Sequence, residues 1–221
     1  MSQCKSTKGE IIFVSVSRTT YLNSIKDKDY VWCGNIKADW SAIQQECKQT
    51  VQDHPECWQT LVGERDSWDS YGDDLIKELE KHKEVGYNPQ NTKHWETTTV
   101  QPKIEMSWEK EIMDQLLLLN PISRPTLQPP GNIMPWHKDN FFYFKRNNPG
   151  QEEFIVRFVV FQTDWHNGHL LQAGNSFVSH WKAGDILLWY PDRWHLSANV
   201  GTKDKWTFNV TGILPEEIIW N

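Results

Sequence analysis

The feature that most constrains the fold is a change of character at Ile122. From there the sequence consists of short runs rich in β-branched and aromatic residues, separated by Gly, Pro, Asn and Asp. The runs are ISRPTL, FFYFK, FIVRFVVFQ, NSFVSHW, DILLWY, HLSANV and KWTFNVTG. About seven strands within roughly a hundred residues predict a sandwich or a barrel.

The sequence before Ile122 mixes strand and helix signals. A strand is expected over residues 10–18. Helices are expected from Ser41, where Gln44 completes a capping-box pattern, over residues 73–83, and over residues 107–120 up to Pro121.

The stretch over residues 85–103 is polar and shows no sustained period, which predicts a long loop or an irregular strand over a cleft, where a lid could form. We therefore expect a mainly β protein with flanking helices (α+β). An N-terminal α/β extension over residues 1–120 should pack on a β core over residues 121–221, and the two should form one compact unit.

Composition limits the classes of partner. No stretch approaches the ~18 apolar residues of a membrane span, so no membrane contact is expected. The N-terminus has no apolar segment of signal-peptide length, which favours a cytoplasmic location. The formal net charge of -6 and pI near 5.7 disfavour nucleic acid as a partner. The four cysteines form no CxxC pair and are interpreted as reduced thiols; they are Cys4, Cys33, Cys47 and Cys57.

The motif that carries chemistry is His137-Lys138-Asp139 together with His195. Residues two apart on a strand point to the same side, so His137 and Asp139 can reach one ion. Two imidazoles and one carboxylate on one face of a metal leave adjacent positions open. This ligand set is typical of Fe(II) sites that bind a co-substrate and O2.

Other histidines compete for these roles. Three HxE pairs have a similar spacing, but they lie in sequence that favours helix or loop, where solvated side chains are expected; they are His54/Glu56, His82/Glu84 and His94/Glu96. His166, His169 and His180 are rivals for the second histidine. Only His195 follows a KAGD turn and the strand ILLWY and precedes a KxT strand.

A third element begins ten residues after His195. In a strand, Lys205, Thr207 and Asn209 share one face, and Trp206 lies on the other. If the first face points inward, an ammonium and a hydroxyl are available to a carboxylate ligand, which would explain the cost of burying the lysine. The alternative is a solvent-facing Lys205 on an edge strand.

These residues resemble the Fe(II)/2-oxoglutarate-dependent dioxygenase superfamily, and within it the prolyl 4-hydroxylase-like branch. That branch shows an HxD motif, a later histidine and, ten residues on, a KWxxN string, here Lys205-Trp206 to Asn209. Gly131 suits the glycine that precedes HxD in the family. The resemblance covers about residues 121–212 and implies a double-stranded β-helix (jelly-roll, cupin-like) core.

The resemblance also implies site roles. His137, Asp139 and His195 would hold Fe(II), and Lys205 and Thr207 would hold the 5-carboxylate of 2-oxoglutarate. Two positions differ from the prolyl hydroxylases, because Gln128 and Met134 stand where those enzymes usually carry tyrosines; Gln128 takes the place of a residue that contacts the co-substrate.

Further residues are candidates for substrate contact. Arg157 resembles an arginine that opens a mid-barrel strand in the family; contact with substrate or co-substrate and a structural salt bridge both remain open. Asn209 and Trp165 are candidates for the substrate side, and Trp189, His166 and His169 could line the mouth with Trp165. Trp136, Trp194 and Trp206 flank site residues and are expected in the core.

The activity implied is hydroxylation of a C–H bond of a peptide side chain or an amino-acid-like small molecule, using O2 and releasing succinate and CO2, with ascorbate as a reductant. Two alternatives stay open. One is a nucleobase or nucleic-acid oxygenase, and the other is a non-catalytic, metal-binding cupin-like sensor.

Overall fold

The computed structural model describes residues 14–62, 73–97, 103–139 and 141–220. These residues form 13 strands and five helices. The strands are β1 (Val14–Ser17), β2 (Val31–Asn35), β3 (Trp58–Thr60), β4 (Lys93–Glu96), β5 (Leu119–Gln128), β6 (Asn132–His137), β7 (Ile155–Phe161), β8 (His169–Ala173), β9 (Ser176–Val178), β10 (Asp185–Leu188), β11 (His195–Asn199), β12 (Lys205–Ile213) and β13 (Glu217–Trp220). The helices are α1 (Arg18–Ile25), α2 (Trp40–Asp53), α3 (Asp73–Glu84), α4 (Glu109–Gln115) and α5 (Phe142–Asn147).

Two antiparallel sheets form the body of the protein. The larger has seven strands in the order β2-β10-β7-β12-β5-β4-β3, and the smaller has four in the order β6-β11-β8-β9. Strands that are distant in sequence are neighbours, as β5 and β12 show, and from β5 to β12 the chain alternates between the two sheets except at the β8-β9 hairpin. This is the jelly-roll arrangement of a double-stranded β-helix, so the predicted mainly β class with flanking helices is confirmed. A separate ribbon pairs β1 with β13.

The central strand β12 is covered on both sides. Trp206, Phe208 and Val210 face the main core, where Trp206 packs edge-on against Trp95 and Phe208 against Trp108. Lys205 and alternate residues after it face the opposite side, toward the smaller sheet. The period of two in KWTFN therefore separates core from cavity, as expected for a strand.

The N-terminal residues contribute directly to the larger sheet. Strands β2, β3 and β4 all pair within it, and the main core includes side chains of α1, α2 and α4. The point between residues 120 and 121 lies inside β5. None of the helices among the described residues has the length and apolar character needed to cross a membrane.

Several local predictions were wrong. The run FFYFK is part of α5 rather than a strand, because Phe141 and Phe144 stand three residues apart and are buried together with Ile155 and Ile213. The helix expected over residues 107–120 ends at Gln115, after which Leu117 takes a left-handed conformation and β5 begins.

Of the remaining local predictions, some were wrong and one was confirmed. Helix α2 is capped by Asp39, which accepts a hydrogen bond from the Ala42 backbone N–H, and not by Ser41. Strand β8 was not anticipated. Cys33, Cys47 and Cys57 are free thiols as expected, whereas Cys4 and residues 10–13 of the first predicted strand lie outside the described residues.

Candidate active site

The three predicted metal ligands meet at the edge of the smaller sheet. His137 ends β6 and His195 begins β11, and these two residues face each other in the antiparallel register. Their ring centroids are 4.3 Å apart. One ligand atom from each of His137, Asp139 and His195 lies within 4.8 Å of the others, which makes this group a candidate metal centre.

Hydrogen bonds set the tautomers of both histidines. Nδ1 of His137 lies 2.7 Å from the Pro135 carbonyl, and Nδ1 of His195 lies 3.0 Å from the Arg193 carbonyl. A carbonyl can only accept, so each Nδ1 carries the proton and each Nε2 keeps a lone pair for a metal. Burial lowers the pKa of His137 to about 4 and also lowers that of His195, so both rings are neutral at pH 7.

Asp139 supplies the negative charge. Burial by itself would raise its pKa, but Arg157 and the two histidines outweigh that effect and hold the pKa at about 2. Oδ1 accepts a hydrogen bond from Arg157. Oδ2 is buried, has no hydrogen-bond partner within the described parts of the chain, and lies 3.8 Å from Nε2 of His195. Two neutral nitrogens and an unsatisfied carboxylate oxygen fit a divalent metal such as Fe(II).

Lys205 is the second notable group. It lies at the start of β12 opposite Gln128 and is only 2% exposed. Its ammonium donates to the Leu170 carbonyl and to Ser197 Oγ at 2.7 Å, and none of the described carboxylates pairs with it. Burial lowers the pKa of Lys205 to about 7. A buried ammonium without an anion is costly, which makes this end of the cavity suited to an anionic ligand.

Gln128 and Ser197 hold this lysine in place. Gln128 Nε2 donates to the backbone carbonyls of Asn132 and Ser197, while its Oε1 accepts from Ser197 Oγ at 2.8 Å. Ser197 thus links Gln128 to Lys205. Ser197 was missed in the sequence, although it lies two residues after His195 and so on the same strand face.

A single cavity joins the lysine to the candidate metal centre. Both sheets contribute to it, and among its lining residues are His137, His195, Lys205 and Thr207. Met134, Val159, Leu171 and Trp189 add apolar surface, with the Trp189 ring 4.5 Å from that of His195. Water-poor surroundings of this kind strengthen electrostatic contacts to a bound anion.

The candidate substrate residues separate into two groups. Arg157 and Asn209 line the cavity; Arg157 also donates to Thr211 Oγ1 at 3.0 Å, and Asn209 donates to Thr126 Oγ1 at 3.1 Å. The structure does not bring Trp165 to the lining: its indole N–H donates to the His169 carbonyl, and its ring stacks on His180.

Some expectations about neighbouring residues were wrong. His94 and Glu96 are buried in β4 rather than solvated, because β4 pairs with β3 and β5. His169 is also buried, and its Nε2 lies 2.9 Å from the Lys203 carbonyl.

The three tryptophans that were expected in the core differ in how far they are buried. Trp206 is buried, but Trp136 and Trp194 stack on each other with centroids 6.4 Å apart, and Trp194 is 37% exposed. Trp136 is half-buried, so neither of these two rings lies in the core.

This protein is similar to known proteins in its three-dimensional structure. No protein-family model matches the sequence, and no similar sequence is found among curated proteins. A non-heme alpha-ketoglutarate-dependent carbocyclase, SnoK from nogalamycin biosynthesis, aligns with a TM-score of 0.52 and 9% identity over 90% of this chain and 86% of its own.

Two further solved structures align with this chain at similar TM-scores and identities. A Pseudomonas putida prolyl-4-hydroxylase aligns with a TM-score of 0.50 and 13% identity over 89% of this chain and 99% of its own. AviO1 from Streptomyces viridochromogenes aligns with a TM-score of 0.52 and 11% identity over 90% and 95% of the two chains. These likenesses show the fold of the chain: it is the fold shared by the SnoK carbocyclase, the prolyl-4-hydroxylase and AviO1.

Proposed function

We propose that this protein is an Fe(II)- and 2-oxoglutarate-dependent dioxygenase. It hydroxylates a C–H bond of an amino-acid-like small molecule or a peptide side chain, consumes O2, and releases succinate and CO2. The observation that carries the proposal is that one cavity is lined both by the two histidines of a three-ligand cluster and by a buried ammonium without a described carboxylate partner.

The metal ligands have distinct tasks. Nε2 of His137, Nε2 of His195 and Oδ2 of Asp139 provide the three donors, and the backbone carbonyls of Pro135 and Arg193 keep the two rings in the required tautomer. Iron bound there would supply the oxidation chemistry that activates O2. Arg157 holds the remaining oxygen of Asp139, which fixes the direction of the carboxylate.

Lys205 is the proposed anchor for 2-oxoglutarate. Its ammonium would pair with the distal carboxylate, and Thr207, two residues along the same strand face and also in the cavity lining, would add a hydroxyl donor. Ser197 and Gln128 keep the lysine pointing into the cavity. In this proposal Gln128, which also lines the cavity, contributes to co-substrate binding by positioning Lys205.

The substrate would enter on the side of Arg157 and Asn209, in a cavity that Trp189 also lines. The apolar residues Val159 and Leu171 keep water away from the reacting C–H bond. Ascorbate is expected to serve only as an auxiliary reductant, and a cytoplasmic location remains an expectation.

The proposal is tested by anaerobic titration of the protein with Fe(II) and 2-oxoglutarate, monitored through the weak visible charge-transfer band of the complex. We expect a band in the wild type, none in His195→Ala, and a band that needs far more 2-oxoglutarate in Lys205→Met. Lys203→Met changes an exposed lysine of the preceding turn and should behave as the wild type. A wild-type protein that binds neither component would refute the oxygenase function and favour a binding module.

A further inference from the structure

One of the two metal-binding histidines takes its orientation from a loop. Nδ1 of His137 donates to the Pro135 carbonyl, which lies inside strand β6. Nδ1 of His195 donates to the Arg193 carbonyl, which lies two residues before β11 begins and outside the strands. The position of the second acceptor therefore depends on the other contacts that Arg193 makes.

The Arg193 side chain reaches back to the loop that follows α1. Its Nη2 donates to the carbonyls of Lys26 at 2.6 Å and of Lys28 at 3.0 Å, and its Nη1 lies 3.9 Å from Asp29 Oδ1. Lys26 stands 167 positions earlier in the chain. A guanidinium carries its donors in a rigid planar fork, so two carbonyls and a carboxylate of one loop fix its direction as well as its place.

Asp29 ties the same loop to the strand beside His195. Its Oδ2 accepts from the Asn175 backbone N–H at 3.1 Å and from Ser176 Oγ at 2.6 Å, at the turn between β8 and β9. Ala173, the last residue of β8, lies opposite His195 in the antiparallel register. The loop after α1 therefore contacts both the segment that leads into His195 and the turn next to it.

Gly174 shows how closely these parts approach one another. Its N–H donates to the Trp194 carbonyl at 2.8 Å, and its φ is +54°. A Cβ at this position would overlap with the Asp29 carboxylate and would lie 3.3 Å from Cδ of Arg193. A glycine is therefore required here, both for the backbone conformation and for the contact between Asp29 and Arg193.

We propose that Arg193 and Asp29 are positioning residues for the metal ligand His195. By holding the Arg193 carbonyl in place, the loop after α1 keeps the proton on Nδ1 and leaves Nε2 of His195 free for the metal. This inference rests on the proposed function, because it treats His195 as a metal ligand. It makes the N-terminal part of the chain a component of the metal centre as well as of the sheet.

The test compares two arginines that both join the N-terminal part of the chain to its C-terminal half. Arg193→Met removes the guanidinium and keeps the length of the side chain. Arg18→Met is the matched control, because Arg18 also donates to a backbone carbonyl and to a side-chain amide oxygen, both of residues outside the cavity lining. Arg193→Lys and Asp29→Asn are milder changes at the proposed contact.

Two properties are measured in each variant. The affinity for Zn(II) is obtained by competition with a chelator, and His195→Ala shows how much of it belongs to this centre. The tautomer of His195 is read from the imidazole 15N NMR signals of the metal-free protein at pH 7. The free energy of unfolding in urea shows whether each variant is folded.

We expect the Zn(II) affinity to fall about tenfold in Arg193→Met, to recover in part in Arg193→Lys, and to keep the wild-type value in Arg18→Met. His195 should carry its proton on Nδ1 in the wild type and should show a mixture of tautomers in Arg193→Met. If Arg193→Met does not fold, Asp29→Asn should show the same two changes to a smaller degree.

Two results would overturn the inference. One is a wild-type Zn(II) affinity and a wild-type His195 spectrum in Arg193→Met, or in Asp29→Asn where only that variant folds. The other is an equal loss of Zn(II) affinity in Arg18→Met, which would show that general destabilisation causes the effect.

Failure of the proposed function gives a different result. A wild-type Zn(II) affinity no higher than that of His195→Ala would remove His195 from a metal centre and refute the proposed function. The spectrum of the metal-free protein would still show whether Arg193 orients His195, so the two failures are distinguishable.

Discussion

Replacing Lys205 by methionine should make the ligand-free protein more stable. The pKa of this lysine falls from 10.5 to about 7 on folding. At about 1.4 kcal/mol per pH unit, the protonated form costs the folded state on the order of 5 kcal/mol. Methionine removes that cost, but it leaves the Leu170 carbonyl and Ser197 hydroxyl without a donor, at about 1–3 kcal/mol. The net gain at pH 7 is about 2–4 kcal/mol.

The sign of the pH dependence follows from the same shift. Below pH 7 the lysine is protonated in both the folded and the unfolded chain, so the full cost is present. Between pH 7 and pH 10.5 the unfolded chain binds more protons, and the wild-type free energy of unfolding therefore rises with pH. The advantage of Lys205→Met should shrink across this window.

Urea unfolding at pH 7 and pH 9.5, without metal or 2-oxoglutarate, measures both effects, with Lys203→Met as the exposed control. Adding metal and a hundredfold excess of 2-oxoglutarate over its Kd should then stabilise the wild type by about 2.7 kcal/mol and the variant far less. The reasoning is refuted if Lys205→Met loses several kcal/mol at pH 7 and the wild type shows no rise in stability above pH 7. That result would make the lysine a structural residue.

Further predictions concern affinity and stability. Because the proposed anchor is the protonated form of Lys205, the Kd for 2-oxoglutarate should rise about tenfold per pH unit above pH 7 in calorimetry. Lys205→Arg should flatten this pH dependence of the Kd, and a variant with the same pH dependence as the wild type would contradict the prediction. Ser197→Ala should weaken 2-oxoglutarate binding about five- to tenfold, through loss of one hydrogen bond to Lys205, with metal affinity unchanged; a parallel loss of metal affinity would point instead to a displaced His195. Asp139→Asn should lower metal affinity at least about a hundredfold in competition with a chelator, and unaltered affinity would remove Asp139 from the ligand set. Trp206→Ala should lower the free energy of unfolding, measured with urea, by about 3–5 kcal/mol, and Trp194→Ala should lower it by less than about 1 kcal/mol. Similar losses in the two variants would show that Trp194 is buried in solution.

The candidate metal motif and the inward-facing side of β12 could be predicted from local patterns. His137 and Asp139 are two residues apart, and Lys205, Thr207 and Asn209 alternate with apolar residues, so a period of two already places each set on one side of a strand. The short runs separated by turn residues likewise predicted a mainly β barrel or sandwich. In each case, residues close together in the chain carry the information, although Asp139 itself lies two residues beyond the end of β6.

Only the tertiary structure decided the features that depend on distant partners. His94 and Glu96 are buried because β4 pairs with β5, and Ser197 reaches Lys205 because β11 lies across the cavity from β12. Arg124 and Arg157 meet in one cavity although 33 positions separate them in the chain, because both β5 and β7 pair with β12. Local periodicity determines which face of a strand a side chain occupies, whereas its burial and its partners depend on which strands lie beside and across from it.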